Sequence, residues 1–175
     1  AHMIADEGVR PWQVLAITFT NKAAAEMRER LAQLLPGGTR GMWVCTFHAM
    51  CVRILREDPE LVGYAPNFTI YDTADSRQVL KRVLEAERIH TVGYSPDRIA
   101  GAISAAKNKL ITADDYQARR GSPLSEIVAQ VYPAYQARML QTAAVDFDDL
   151  LMHVATLLYH NPEIRGQLDE RFRYV

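Results

Sequence analysis

The fold class follows from two apolar stretches, Val14-Leu15-Ala16-Ile17 and Met42-Trp43-Val44-Cys45. Both are continuous runs with β-branched members, which is typical of strands buried on both faces of a parallel sheet. Between them, Thr20 or Asn21 is placed to cap a helix whose apolar residues recur at helical spacing, and Pro36-Gly37-Gly38 is placed to end it. Because two parallel strands joined by a helix form a right-handed unit, we predict an α/β arrangement for this segment.

The strand ends are candidate binding positions, because parallel sheets bind ligands beside the C-terminal ends of their strands. These ends read Thr18-Phe19-Thr20 and Thr46-Phe47-His48. Phe19 would offer a ring for base stacking, next to hydroxyl groups and the unpaired N–H groups of a helix start. On the residues alone two alternatives stay open: Phe19 belongs to the core, and His48 is a structural histidine.

The chain after His48 has the pattern of helices separated by turns. Ser95-Pro96 and Ser122-Pro123 each place a capping serine before a proline suited to the first helical position, and the second of these helices is predicted to bury a stripe from Ile127 to Leu140. Further predicted features are a short extended segment at 68–71, a helix capped by Asp72 or Thr73, a capping box at Thr112 and Asp115, a helix from 146 to 159, and an extended apolar end at 172–175.

The composition is that of an ordinary globular protein, with 49% hydrophobic and 23% charged residues. The sequence contains no apolar run of about eighteen residues, so we predict no membrane span. Cys45 and Cys51 lie in apolar surroundings, which is typical of buried free thiols. Such thiols indicate a reducing compartment, and we predict a cytoplasmic protein.

The charge pattern neither requires nor excludes contact with nucleic acid. A formal net charge of −1 argues against binding by bulk electrostatics. Residues 77–120, however, contain nine basic and five acidic side chains. This local excess is compatible with a face that contacts a phosphate backbone, and equally with a solvated helical surface.

Three carboxylates lie close together at Asp146, Asp148 and Asp149. Asp148 and Asp149 at a helix N-terminus are explained by the helix dipole. No histidine or further acid is spaced to complete a coordination shell, so we predict no metal site in this chain. We assign no catalytic residue to it.

Several segments together resemble the UvrD/PcrA/Rep group of superfamily 1 DNA helicases. Residues 11–27 resemble the motif called Ia in that group, and residues 46–56 resemble motif Ib. The segments 103–108, 131–136 and 145–151 are similar to parts of its helical subdomain. The resemblance implies an α/β fragment of a parallel-sheet P-loop-type motor domain with a mainly α-helical inserted subdomain.

The resemblance also implies a division of the chain. Residues 1–3 are interpreted as the remnant of a cleaved tag, 4–48 as part of motor domain 1A, 49–168 as accessory domain 1B, and 169–175 as a return to domain 1A. The two strands of such a truncated sheet would expose apolar edges. We therefore expect the N-terminal segment to associate with another molecule or to be held loosely.

The site residues are carried over from the same motifs. In the group, the phenylalanine at the position of Phe19 stacks on a base of the single strand, the one at Phe147 lines the same path, and Thr46 and His48 lie against the strand's backbone. The full set that the resemblance assigns to single-stranded DNA is Phe19, Thr20, Asn21, Thr46, Phe47, His48 and Phe147, and the set that it assigns to the duplex is Lys107 and Asn108.

The sequence departs from the helicase group mainly at the nucleotide-binding motif. No GxxxxGK[ST] phosphate loop occurs in the sequence. The resemblance implies ATP and Mg²⁺ for a parent helicase that moves 3′ to 5′ on DNA in repair or replication, while we expect this chain alone to bind neither and to be inactive. Its expected partners are single-stranded DNA, single-strand/duplex junctions and repair proteins. Two alternatives remain, a helical DNA- or protein-binding module without catalysis and the motor subunit of a helicase–nuclease.

Overall fold

The computed structural model describes residues 1–35, 37–57, 59–64 and 67–175, so Pro36 of the predicted helix stop lies outside the described residues. The chain has a mixed α/β architecture in which the paired strands are short and parallel. The described elements are α1 (His2–Ala5), β1 (Leu15–Thr18), α2 (Asn21–Leu34), β2 (Trp43–Thr46), α3 (Phe47–Glu57), β3 (Thr69–Ile70), α4 (Thr73–Ala86), α5 (Pro96–Lys107), α6 (Pro123–Gln141), β4 (Ala144–Val145), α7 (Phe147–His160) and α8 (Pro162–Arg171), with 3₁₀ turns at Pro11–Gln13 and Pro59–Val62.

The chain divides into two compact units. The first unit contains Ala1–Ile54 and Leu157–Val175, and the second unit contains Leu55–Thr156. Within the part of the chain that the structure describes, no helix is long and apolar enough to cross a membrane.

The first unit contains the predicted strand–helix–strand arrangement. Strands β1 and β2 are parallel and joined through α2, with Leu15 opposite Trp43 and Thr18 opposite Thr46. Each strand begins one residue later than the sequence predicts. Thr20 caps α2 by accepting a hydrogen bond of 3.1 Å from the N–H of Ala23, which relieves one of the unpaired donors of the helix start.

The extended segment at the end of the chain lies beside β1. Tyr174 forms a parallel bridge with Val14: the N–H of Leu15 donates to Tyr174 O at 2.8 Å, and the N–H of Tyr174 donates to Gln13 O at 3.1 Å. Phe172 packs against Trp43 with ring centroids 4.9 Å apart. Strand β1 is therefore flanked by β2 on one side and by this bridge on the other.

The second unit has a core formed by three helices, α4, α5 and α6. Their buried apolar faces meet around Tyr132, which is 0% exposed. The predicted stripe of α6 is confirmed except at Leu140, which is exposed, while Met139 is buried in its place. One residue rotates a helix by about 100°, so an error of one position moves a side chain out of the core.

Three features of the helical part differ from the sequence prediction. Thr112 and Asp115 do form the expected hydrogen bonds, with the Asp115 N–H donating to Thr112 Oγ1 at 3.2 Å, but they close a turn and no helix follows. Helix α8 was not predicted, because Asn161-Pro162 reads as a stop although proline also suits the first position of a new helix. The pairing of β3 with β4 was missed as well, since two-residue strands carry no periodic signal.

Candidate nucleic-acid interface

Phe19 lies between β1 and α2 with its side chain fully in solvent, at 101% relative exposure. The backbone around it is ordered by local hydrogen bonds: Thr18 Oγ1 donates to Thr20 O at 3.1 Å, and Thr20 caps α2. The alternative that Phe19 belongs to the core is therefore wrong. A phenylalanine presented in this way offers an accessible face for stacking.

The start of α2 adds anion-binding character beside this ring. Of the first N–H groups of a helix, those without a side-chain cap point outward and carry the positive end of the helix dipole. Asn21 is the first helical residue, and the Lys22 side chain is 87% exposed, with only a long surface contact of 3.9 Å to Glu26. Thr20, Asn21 and Lys22 thus follow Phe19 in the chain with groups that suit a phosphate.

The second strand end lies next to the first, because Thr18 and Thr46 are paired across the sheet. Phe47 and His48 lie in the first turn of α3, which begins directly after β2 rather than at residue 49 as the sequence suggests. Thr46 is nearly buried, and its Oγ1 accepts the N–H of Ala49 at 3.3 Å, so its hydroxyl oxygen serves as a helix cap. Phe47 is 48% exposed and His48 is half-buried.

Phe147 is the first residue of α7 and belongs to the second unit, where its side chain is 45% exposed. It borders a cavity of about 280 Å³ that is also lined by Tyr71, Arg77 and Asp148. Arg77 Nε lies 2.9 Å from Asp97 at the same cavity. The structure thus gives Phe147 a partly exposed aromatic ring beside a recess with both polar and apolar lining.

Lys107 does not have the position expected of a DNA contact. Its side chain is 0% exposed, and its Nζ lies 2.7 Å from Asp146 Oδ2 and 2.7 Å from Asp149 Oδ1. A buried ammonium group that is already paired with two carboxylates cannot reach a phosphate at the surface without breaking both contacts. The predicted duplex contact of Lys107 is therefore wrong.

Asn108, the residue after Lys107, is exposed and is hydrogen-bonded near the same group of carboxylates. Its Nδ2 donates to Ser104 O at 2.8 Å and to Asp148 Oδ1 at 3.1 Å. Asn108 therefore has partners within the chain. Because its side chain is exposed, its contact with duplex DNA stays a prediction.

The carboxylates around Lys107 differ in their electrostatics. Burial opposes the ionisation of Asp146, but Lys107 and the hydrogen bonds from Asp149 N–H and Tyr135 hold the pKa of Asp146 below its ordinary value. Burial raises the pKa of Asp149, against the effect of Lys107, and the negative charge of Asp146 adds to the rise. One lysine is therefore shared by two carboxylates, at 2.7 Å from each.

The sequence explanation of these acids was incomplete. The helix dipole accounts for acids in a first turn, but Asp149 is 0% exposed and is held by a lysine from another helix. A signal was present: Lys107 stands four residues after the buried Ile103, on the apolar stripe of α5. Among the residues that the structure describes, no group of three or more His, Cys, Asp or Glu side chains is arranged to hold a metal ion.

Comparison with known proteins identifies the family of the chain, and the short parallel strands are consistent with that family. The chain belongs to the family described as the UvrD/REP helicase N-terminal domain, whose model matches residues 1–175. The resemblance predicted from the motifs is thereby confirmed.

The relatives in this family include proteins named ATP-dependent DNA helicase PcrA. The chain is 47% identical over 176 residues to the one from Leuconostoc citreum, 41% identical over 175 residues to the one from Bacillus subtilis (strain 168), and 42% identical over 175 residues to the one from Staphylococcus aureus (strain Mu50 / ATCC 700699). Each match covers 100% of this chain and 24% of the relative. The chain thus spans about a quarter of the length of these curated relatives.

Proposed function

We propose that this chain is the part of an ATP-dependent DNA helicase that holds single-stranded DNA and lies near the duplex ahead of it. The observation that carries the proposal is the full exposure of Phe19 at the junction of β1 and α2. Stacking on an aromatic ring contributes roughly 1–3 kcal/mol per base and tolerates any sequence. A motor that moves along DNA needs this kind of grip.

Residues in each of the two units are proposed to contact single-stranded DNA. In the first unit they are Phe19 with Thr20 and Asn21 at the start of α2, and Phe47 and His48 at the start of α3. Thr46 contributes mainly by capping α3, since its oxygen is engaged there. In the second unit Phe147 supplies a further ring.

The second unit is proposed to act as the accessory domain 1B, and the first unit as part of motor domain 1A. The support is the boundary of the compact units, since Leu55–Thr156 forms one body with its own core of helices. Residues 49–54 and 157–168, which the sequence assigned to domain 1B, group with the first unit. We accordingly place the boundaries of the accessory domain near residues 55 and 156.

ATP and Mg²⁺ are proposed for the longer protein, in keeping with the names of the relatives. This chain has no GxxxxGK[ST] pattern, so we propose that alone it neither hydrolyses ATP nor unwinds DNA. The longer protein is proposed to translocate 3′ to 5′ and to work with repair proteins. The buried free thiols of Cys45 and Cys51 support a reducing, cytoplasmic setting.

We also propose that two copies of the chain associate through a sheet edge, and the strand pairing favours one of the two edges. Tyr174 occupies the outer side of β1 near Leu15, whereas β2 pairs on its other side with no strand among the residues described. We propose β2 as the edge at which two copies would meet. Sedimentation velocity over a range of concentrations tests this, and a monomer at all of them would contradict it.

The proposed function is tested by fluorescence anisotropy with labelled oligonucleotides. The chain should bind oligo-dT and a mixed sequence with equal affinity, and the binding should weaken as salt is raised, since phosphate contacts release counterions. Within a protein of the relatives' length, Phe19→Ala should reduce both unwinding and DNA-stimulated ATP hydrolysis. Absence of DNA binding at low salt, together with unchanged unwinding by Phe19→Ala, would overturn the proposal.

A further inference from the structure

The C-terminal end of α5 holds both chain neighbours of Phe147, through Lys107 and the C-cap residue Asn108. Lys107 Nζ pairs with the carboxylate of Asp146, the residue before Phe147, at 2.7 Å. Asn108 Nδ2 donates to the carboxylate of Asp148, the residue after it, at 3.1 Å. Lys107, the last residue of α5, and Asn108, its C-cap, thus bind the two residues that flank the exposed ring.

The backbone that leads into Phe147 is fixed as well. The N–H of Tyr71 donates to Val145 O at 2.8 Å, which ties the end of β4 to the chain beside β3. One residue later, the N–H of Asp149 donates to Asp146 Oδ1 at 2.8 Å, and the N–H of Asp146 donates to Asp149 Oδ2 at 3.1 Å. This reciprocal capping fixes the first turn of α7.

Asp146 joins this turn to two other helices. Its Oδ2 accepts a hydrogen bond of 2.7 Å from Lys107 of α5 and one of 3.0 Å from the hydroxyl of Tyr135 of α6. Lys107 in turn lies 5.1 Å from the Tyr135 ring centroid and pairs with Asp149. The side chains around Phe147 are therefore held by a buried, connected network, while the ring itself is nearly half exposed.

We propose that Lys107 and Asn108 are positioning residues, which hold the start of α7 so that the Phe147 ring is oriented for stacking before DNA arrives. The inference rests on the proposed function, in which Phe147 contacts single-stranded DNA. Neither residue touches DNA for this purpose. A ring that is ordered in advance avoids the loss of side-chain freedom that binding would otherwise entail.

The test separates this role from a general contribution to folding by using Asn108, which is exposed. Phe147 is replaced by 4-fluorophenylalanine, and its ¹⁹F resonance is recorded together with oligo-dT affinity and the midpoint of thermal unfolding. Asn108→Ala and Asp148→Ala should each shift or broaden the resonance and weaken binding about 2- to 12-fold, the range that corresponds to ordering one side chain. The midpoint of unfolding should fall only slightly, because each change removes surface hydrogen bonds and leaves the core intact.

A double-mutant comparison and a matched control sharpen the result. Asn108→Ala combined with Asp148→Ala should weaken binding by less than the sum of the two single effects, because both changes remove the hydrogen bond between these residues. Gln117→Ala removes another exposed amide of the second unit and should change neither resonance nor affinity. For the buried pair, Lys107→Met should alter the resonance and Lys107→Arg should restore it in part, because Arg keeps the charge.

The possible outcomes distinguish the two proposals. If Phe147→Ala leaves oligo-dT affinity unchanged, the proposed role of Phe147 in DNA binding is wrong. If Phe147→Ala weakens binding while Asn108→Ala leaves both the resonance and the affinity unchanged, the positioning role is wrong and the DNA-binding role stands. Should Lys107→Met unfold the chain, the Asn108 and Asp148 variants decide the question.

Discussion

Lys107 Nζ lies 2.7 Å from Asp149 Oδ1, and both side chains are completely shielded from solvent. Ions of this kind lose their hydration on folding and regain only part of that energy from each other. They are tolerated here because Asp146 provides a second carboxylate for the lysine, and Gln136 Nε2 donates to Asp149 Oδ1 at 3.2 Å. The network connects α5, α6 and the first turn of α7, so its loss should be felt by the whole second unit.

Replacement of Lys107 by methionine should strongly destabilise the second unit. The methionine fills a similar volume but leaves Asp146 and Asp149 as uncompensated buried carboxylates, and breaking a buried pair in this way costs about 3–5 kcal/mol. Urea unfolding followed by circular dichroism measures the change in the free energy of unfolding.

Two further variants test whether the lost stability comes from the buried charge network. Lys109→Met makes the same substitution at an exposed position and should change stability by less than about 0.5 kcal/mol. The double variant Lys107→Met/Asp149→Leu removes one of the stranded charges and should recover part of the loss. Equal stabilities of Lys107→Met and Lys109→Met would contradict the importance of the network.

The same network shows where sequence reasoning stops. Local patterns predicted the parallel strand–helix–strand unit and the serine caps of α5 and α6, because those features depend on neighbouring residues. Lys107 and Asp146 are 39 residues apart, so nothing local shows that they meet. The sequence assigned the lysine to DNA and two of the acids to a helix dipole, each a sound local explanation. Only the contact of Lys107, at the end of α5, with Asp146 and Asp149 decides between them.

The candidate site was predictable for a different reason. Phe19 and Phe147 were identified by motif, and the structure gives both rings solvent exposure. Their exposure could not be read from spacing, since a phenylalanine beside a strand is as compatible with a core as with a surface. Thr46 was also identified by motif, but the structure shows that its hydroxyl oxygen is engaged as a helix cap.

Phe19→Ala should weaken single-stranded DNA binding without affecting stability. The side chain is fully exposed, so its removal creates no cavity, whereas loss of a stacked base costs roughly 1–3 kcal/mol of binding energy. Anisotropy titration with oligo-dT measures the affinity, and thermal unfolding measures the stability.

The exposed aromatic Tyr159 provides the matched control for Phe19. It is 77% exposed in the same unit, and Tyr159→Ala should leave oligo-dT binding unchanged. Phe19→Trp should retain or improve binding, because the larger ring preserves the stacking face. An equal loss of affinity in the Phe19 and Tyr159 variants would indicate nonspecific adhesion to aromatic surface.

The two cysteines should resist alkylation in the folded chain. Burial raises the pKa of both thiols, that of Cys51 to about 11, so at pH 8 less of each thiol is present as the reactive thiolate than in a free cysteine. Iodoacetamide labelling followed by mass spectrometry should show little modification in buffer and rapid modification of both residues in urea. Labelling in buffer as fast as in urea would show that the first unit opens readily, as expected of a loosely held segment.

The stability of the second unit should fall as the pH is lowered through the range in which histidine titrates, and His153 should be a main cause. Burial lowers the pKa of His153, opposed by Asp149, whose Oδ1 lies 4.0 Å from Nε2 and is too distant for a strong hydrogen bond. The positive charge of Lys107 lowers the pKa of His153 further, while the negative charges of Asp149 and Asp146 raise it. The folded chain therefore binds a proton at His153 less readily than the unfolded chain.

The sign of the effect follows from proton linkage. In the unfolded chain the imidazole has a pKa of about 6.5, so below that pH the unfolded state holds more protons than the folded state and becomes favoured. Stability conferred by neutral His153 is thus complete above about pH 6.5 and is lost as the pH falls toward the lower folded pKa.

Urea unfolding of the chain and of His153→Gln at pH 7.5, 6.5 and 5.5 measures this pH dependence. The free energy of unfolding should fall less steeply in the variant, and His160→Gln, which changes an exposed histidine, should follow the unmodified chain. Parallel pH profiles for the chain and His153→Gln would show that His153 is protonated as easily in the folded state as in the unfolded one.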